Sequence, residues 1–229
     1  MLQYLLRRLL QSFVTAFAVL VLVFFMLRLT GDPSNLILPK EATVEQREAF
    51  RREMGFDKPL HVQLMVYLRD VARGDFGISY KYRVPAIDLI LQRLPATVEL
   101  AVVGTALAVL VGVSVGTLGA AGRSPVWSVL ADIVGVAGLS TPTFWAGLVL
   151  IIVFAVNLRI LPASGRSGIR HIILPAVTMS FGSVGQITRL TRATMTEVLR
   201  QDYIRVAHSK GLPPRYVHLR HALKNAAIP

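Results

Sequence analysis

Residues 189–229 read RLTRATMTEVLRQDYIRVAHSKGLPPRYVHLRHALKNAAIP and directly follow four long apolar segments. Met195, Val198, Leu199, Tyr203, Val206 and Ala207 recur at helical spacing, which predicts one apolar stripe with charges around the rest of the helix. Lys210-Gly211 is a helix-ending pair, a cation in the last turn followed by a residue free to take positive φ. Pro213-Pro214 stops that helix and opens a second, on which Tyr216, Leu219, Leu223 and Ala226 are expected to share a face. The stretch therefore reads as a short helix, a glycine turn and another helix. A basic helix–turn–helix could bind nucleic acid, since eight Lys/Arg here face only Glu197 and Asp202. It could also be a positive patch held near anionic lipid. A lipid patch would not require the Gly-Leu-Pro-Pro punctuation, and a patterned docking hairpin is the strongest of the three readings.

Composition places that hairpin beside a membrane. The chain has 229 residues, 53% hydrophobic and 17% charged, with a mean hydropathy of +0.55. Soluble domains run nearer about 25% charged. Of the net charge of +12, half lies between Arg189 and Lys224, immediately after the last apolar segment. Lys and Arg concentrated beside a span mark its cytoplasmic side, so no nucleic-acid partner is expected. The absence of cysteine excludes disulfides, thiolate catalysis and Cys-based metal sites.

From the N-terminus, Arg7-Arg8 precedes an uncharged run from Leu9 to Leu27, long enough to cross roughly 30 Å of hydrocarbon. It exceeds a signal-peptide core and lacks a clear A-x-A site, so it reads as an uncleaved anchor with its N-terminus inside. Residues 31–93 carry ten Lys/Arg and nine Asp/Glu, a balance that suits a translocated region. Within it, Thr43–Met54 reads as a Thr-capped amphipathic helix, His61–Val71 as a second, and Gly74–Tyr80 as a turn leading into extended chain. Asp75 in that turn reads as a loop-structuring residue.

Leu100–Gly122 is a second uncharged run, dense in Gly and Ala, and a short link with Arg123 and Pro125 follows it. Ile133–Leu158 is the third span, with a proline kink expected at Ser140-Thr141-Pro142-Thr143. The fourth, about Ile172 to Thr188, is the most polar and contains Ser180, Gly182, Ser183, Gly185 and Gln186. Such a span belongs inside a bundle, and Ser180, Ser183 and Gln186 are candidate pathway-lining residues. Four spans put Arg123 and residues 189–229 inside and residues 31–93 outside. Arg159, Arg166 and Arg170 then fall outside, against the positive-inside trend but outweighed by the eight positives after the fourth span. Glu99, Asp132 and His171 lie near span ends, where structural or interfacial roles are expected. No metal-binding, nucleophilic or phosphate-loop motif is present, so no catalytic residue, metal or cofactor is assigned to the chain.

Several separated motifs resemble, in matching order, the permease subunits of ABC importers of the dipeptide, oligopeptide and nickel class. They are Gly74-Asp75-Phe76-Gly77-Ile78-Ser79, Leu94-Pro95-Ala96-Thr97, Pro142/Phe144/Trp145/Gly147, Leu161–Gly165, and DYIRVAHSKGL with RHALKNAAIP. Arg205-Val206-Ala207 stands where the general loop motif has Glu-Ala-Ala, with only the second Ala and Gly211 matching. The resemblance implies an all-α polytopic membrane helical bundle of about four transmembrane helices here, where the family has about six. Its parts are residues 1–30 (first span), 31–95 (periplasmic region) and 96–229 (permease core), with a cytoplasmic coupling-helix hairpin at about 189–229.

That resemblance also implies docking to an ATPase through Tyr203, Arg205, Val206, Ala207, Lys210, Gly211 and Leu212. The expected partners are a second homologous permease subunit, two cytoplasmic ATPase subunits that carry the ATP, an extracytoplasmic substrate-binding protein, and membrane lipid. The location is a bacterial or archaeal cytoplasmic membrane. Peptides are the expected cargo, with nickel, glutathione or another small solute as alternatives. Family members continue through about two more spans, whereas this sequence stops at Ile228-Pro229. A truncated product, or a non-transporting membrane subunit, is therefore the alternative expectation.

Overall fold

The computed structural model describes all residues except 30–37, 39–41, 80, 123 and 228–229. The start of the polar region at Gly31, Tyr80 at the end of the Gly74 turn, the Arg123 link and the Ile228-Pro229 terminus lie outside the described residues. The rest is helical, and among the described residues the β structure is one isolated bridge between Ile78 and Pro85. Two compact units divide at Leu94/Pro95.

In the first unit, helix α1 (Leu2–Leu29) is longer than its uncharged run and takes in Arg7 and Arg8. Large apolar side chains are exposed along its whole length, the surface of a helix whose surroundings are lipid or other helices. Helix α2 (Val44–Glu53) begins at the expected Thr43 cap. The Thr43 hydroxyl accepts from the Gln46 N–H (3.3 Å) and the Gln46 side chain accepts from the Thr43 N–H (3.0 Å), a reciprocal capping box. Glu45 in that first turn has its carboxyl held below the usual range, chiefly by a backbone N–H and then by Thr43. Helix α3 (Leu60–Ala72) follows. In the turn after it, Asp75 accepts from the Gly77 N–H at 2.8 Å, the loop-structuring role expected of it.

Helix α4 (Ala86–Ala121) starts well before the apolar run, and Pro95 lies inside it. A proline there removes one backbone hydrogen bond without ending the helix. In the second unit, α5 (Pro125–Ser140) opens on a Ser124 cap whose hydroxyl accepts from the Val126 N–H. The chain then turns sharply into α6 (Thr143–Leu150), which runs on as a π-helical segment, Ile151–Asn157. The expected third span is thus not one kinked helix over Ile133–Leu158: it starts earlier, and the two halves are bent by 107°. Pro142 causes this break. It lacks an N–H, and it forces Thr141 into extended backbone (φ −90°, ψ 121°).

Helix α7 (Arg170–Val198) is the axis of this unit, with α4, α5 and α6 packed along it. Helices α1 and α4 are long and apolar enough to cross a membrane, and the bent pair counts as a third span if taken together. Between His171 and Arg189, α7 has 17 uncharged residues, a rise of roughly 25 Å. It is less apolar than the others, as the sequence predicts, and among the described residues it is not one of the helices long and apolar enough to cross a membrane.

Candidate functional site

Two features of the second unit bear on function: the contact surface of α7, and the hairpin that follows it. The faces of α4 and α5 that meet α7 are made of small residues. Gly104, Ala108, Gly112 and Gly116 are the buried residues of α4, at every fourth position. A Cβ on Gly112 would meet Ile187 at 2.7 Å, and one on Gly116 would meet the Thr188 carbonyl oxygen at 2.7 Å. On α5, Gly138 approaches Gly185 equally closely. Lipid tails are as apolar as leucine, so spans gain from close packing of small residues and not from hydrophobicity.

Charged pairs stand at both ends of this bundle. At one end Arg166 pairs with Glu99 at 3.4 Å. At the other, Arg192 donates to Asp132 and, at 2.7 Å, to Ser128 Oγ. Glu99 and the Arg192 contact at Gly119 are separated by 20 residues of α4, about 30 Å of helix, which is the thickness of a bilayer's hydrocarbon. Glu99 and Asp132 thus have the structural, span-end roles expected of them. His171 packs against Gly165, and its Nδ1 is buried without a hydrogen-bond partner among the described residues.

The three candidate pathway residues are placed differently from one another. Ser180 is 3% exposed, and its hydroxyl donates to the Val177 carbonyl at 3.0 Å. Ser183 is exposed and shares with it a cavity of about 260 Å³ between α4 and α7, alongside Gly104 and Thr105. Gln186 is exposed on a separate groove with Leu139, Arg189 and Leu190. Ser183 and Gln186, and not Ser180, offer polar atoms at the surface of this chain. Thr188, which sequence reasoning did not single out, is fully buried, and its hydroxyl has no partner among the described residues.

The hairpin is built differently from its predicted pattern. Helix α7 continues to Val198, so Met195 and Val198 end that span and do not begin a separate hairpin arm. The first arm is α8 (Asp202–Ser209), whose buried residues are Ile204 and Ala207. Tyr203 and Val206, expected on the packed stripe, are exposed. Gly211 has the expected positive φ, +73°, and its N–H closes the turn on the His208 carbonyl at 2.9 Å. After α9 (Pro214–Tyr216) the chain forms a second π-helical segment, Val217–Ala222, and then α10 (Leu223–Ala226). Hydrogen bonds there span five residues instead of four, so the buried positions are Val217, Ala222 and Ala226. The α-period stripe fails in its first half for this reason: Tyr216 and Leu219 are exposed, while Ala226 is buried and Leu223 packs against the core as expected.

Met195, Ile204, Ala207, Val217, Ala222 and Ala226 form one buried cluster. The hairpin is therefore folded onto the end of α7 by its own core. Asn225 donates to the Tyr203 hydroxyl at 2.8 Å, tying the two arms together. Of the seven residues expected to dock an ATPase, Ala207 belongs to the internal core and Leu212 packs against it. Tyr203, Arg205, Val206, Lys210 and Gly211 are on the surface.

Residues 87–229 match the family described as binding-protein-dependent transport system inner membrane component, and residues 1–101 match the N-terminal family of the same system. The chain belongs to this family. It is 39% identical over 230 residues to the Glutathione transport system permease protein GsiC of Escherichia coli (strain K12), a match that covers all of this chain and 75% of that protein. The same protein of Shigella dysenteriae serotype 1 (strain Sd197) is also 39% identical, and that of Shigella boydii serotype 4 (strain Sb227) 38%, with the same coverage. As a binding-protein-dependent inner membrane component, the chain is a multi-pass membrane permease subunit of an ABC importer. Membership implies that it works with an ATPase, a substrate-binding protein and a second permease.

Proposed function

We propose that this chain forms part of the translocation pathway for small peptides, with glutathione, itself a modified tripeptide, as the first cargo to test. Support for this cargo comes from the relatives named as glutathione transport permeases, together with the polar, uncharged stretch of α7 between His171 and Arg189. The N-terminus lies in the cytoplasm, the region between α1 and α4 lies outside, and the hairpin faces the cytoplasm beside the basic residues Arg189 to Lys224. ATP is bound and hydrolysed on partner subunits, and this chain contributes no reacting group. Coupling runs through the exposed side of α8, where Tyr203, Val206 and Lys210 seat in the ATPase.

The observation that carries this reading is the continuity of α7 into the hairpin through the Met195–Ile204–Val217 core. A push on α8 from outside is passed to α7, because the cluster leaves no slack between them. Uptake of labelled glutathione and labelled dipeptides in a strain lacking the native system, restored with this chain and its partner subunits, tests the proposal. ATP-dependent accumulation of either supports it. Uptake of neither, with the assembled complex present in the membrane, overturns the cargo assignment.

A further inference from the structure

We propose that helix α3 lies in the membrane–water interface at the C-terminal end of α1, with the side bearing Leu64, Met65, Leu68 and Ala72 inserted among lipid acyl chains. The inference starts from one ring contact. Phe24 is the single buried residue of α1, and its ring stacks on Tyr67 of α3, 5.7 Å between centroids and 29° between planes. Phe24 sits inside the uncharged run Leu9–Leu27, about 7 Å of helix rise before α1 ends at Leu29. Tyr67 is therefore held at the depth of the last apolar turns of a membrane-crossing helix. The Arg28 guanidinium lies 5.5 Å from the Phe24 ring centroid and 4.4 Å from that of Phe56. An arginine among aromatic rings at the end of a span is a headgroup-level anchor, its stem in apolar surroundings and its charge at the polar boundary.

The sequence of α3 suits that level. Leu64, Met65, Leu68 and Ala72 lie to one side of Tyr67 at helical spacing, with His61 of the first turn on the same side. Met65 is 73% exposed among the described residues. Gln63 and Asp70 lie on the other side, where Gln63 donates to the Phe56 and Lys58 carbonyl oxygens at 3.1 and 2.7 Å. Arg69 borders the apolar side and pairs with Asp70 at 3.1 Å, which keeps its charge at the polar boundary. Expected from sequence as a soluble amphipathic helix, α3 has instead the composition of an interfacial one. A bilayer is the occupant that the stacking on Phe24 commits to, because the same contact that orders α3 brings it to the depth of lipid. This holds whatever cargo the importer carries.

The test uses the full chain, which has no native cysteine, in nanodiscs of phosphatidylethanolamine and phosphatidylglycerol. A polarity-sensitive fluorophore is attached to single cysteines made by Met65→Cys, Ala72→Cys and, as the aqueous reference on α2, Glu48→Cys. Lipids brominated near the headgroup end of the acyl chains should quench the probes on α3 about twofold or more, relative to the reference, and aqueous iodide should quench them less than the reference. Iodide quenching equal to that at Glu48 would overturn the proposal, and so would shielding from both quenchers, which would mean a protein contact. The second α3 site guards against a local disturbance at Met65. If the α3 probes became shielded only after the substrate-binding protein was added, a docking surface would replace the interfacial helix.

Discussion

A Cβ placed on Gly138 of α5 would lie 2.8 Å from the Cα of Gly185 on α7, and one placed on Gly185 would lie 2.9 Å from the Cα of Gly138. Both obstacles are backbone atoms, so no side-chain rotation relieves them. The two helices cross at the distance that the absence of two side chains allows, and this crossing fixes α5 relative to the helix that leads into the hairpin.

Gly138→Leu and Gly185→Val are accordingly expected to lower thermal stability in detergent, by the roughly 1–3 kcal/mol typical of overpacked cores or more. Gly182→Ala is the control, because its nearest neighbour would be 3.7 Å away. Fluorescence-detected size exclusion after heating reads all three. Equal midpoints for Gly138→Leu and Gly182→Ala would refute the close crossing.

The Asp132–Arg192 pair should contribute little by charge and more by packing. Asp132 has a side chain 63% exposed against 28% for Arg192, and pairs with one exposed partner contribute about 0–1 kcal/mol. Arg192 also lays its Cδ against Gly119, 3.3 Å from where a Cβ would be. Asp132→Asn is expected to shift the detergent melting midpoint less than Arg192→Ala does, as measured on the same instrument. The reverse order would mean that the ion pair dominates.

The hairpin separates folding from docking. Ala207 is buried among Met195, Val217 and Ala222, so Ala207→Leu should open the hairpin and speed tryptic cleavage of the backbone after the already exposed Arg205 and Lys210. Val206 is 53% exposed, so Val206→Asp should leave the tryptic pattern unchanged while weakening capture of the ATPase. Gly211→Ala meets open space but a strained φ, costing about 1 kcal/mol. Unchanged ATPase capture by Val206→Asp would remove α8 from the docking surface.

Topology is accessible to labelling, since any introduced cysteine is the only one. Glu48 on α2 and Ser209 on α8 are both exposed. An impermeant maleimide applied from outside should label Glu48→Cys and not Ser209→Cys. The opposite pattern would invert the orientation of every span.

Much of this was legible in the sequence for simple reasons. Uncharged runs long enough to span a bilayer identify α1 and α4 whatever they pack against, because desolvating charges in lipid is costly. Local hydrogen bonding wrote the Thr43 cap, the Asp75 turn and the positive φ of Gly211 into single residues and their near neighbours. Tertiary structure alone decided what depends on distance in space. The α-helical period mispredicted Tyr216 and Leu219 as buried, because the π-helical turn at Val217–Ala222 shifts the register by a residue, while Leu223 and Ala226 were predicted correctly. Pro142 announced an interruption, but its 107° depth follows from how α5 and α6 each pack on α7. That Ala207 serves the hairpin's own core, and that Tyr67 is held at the depth of Phe24, required the fold. Periodicity tells which residues share a helix face, while only packing tells what that face meets.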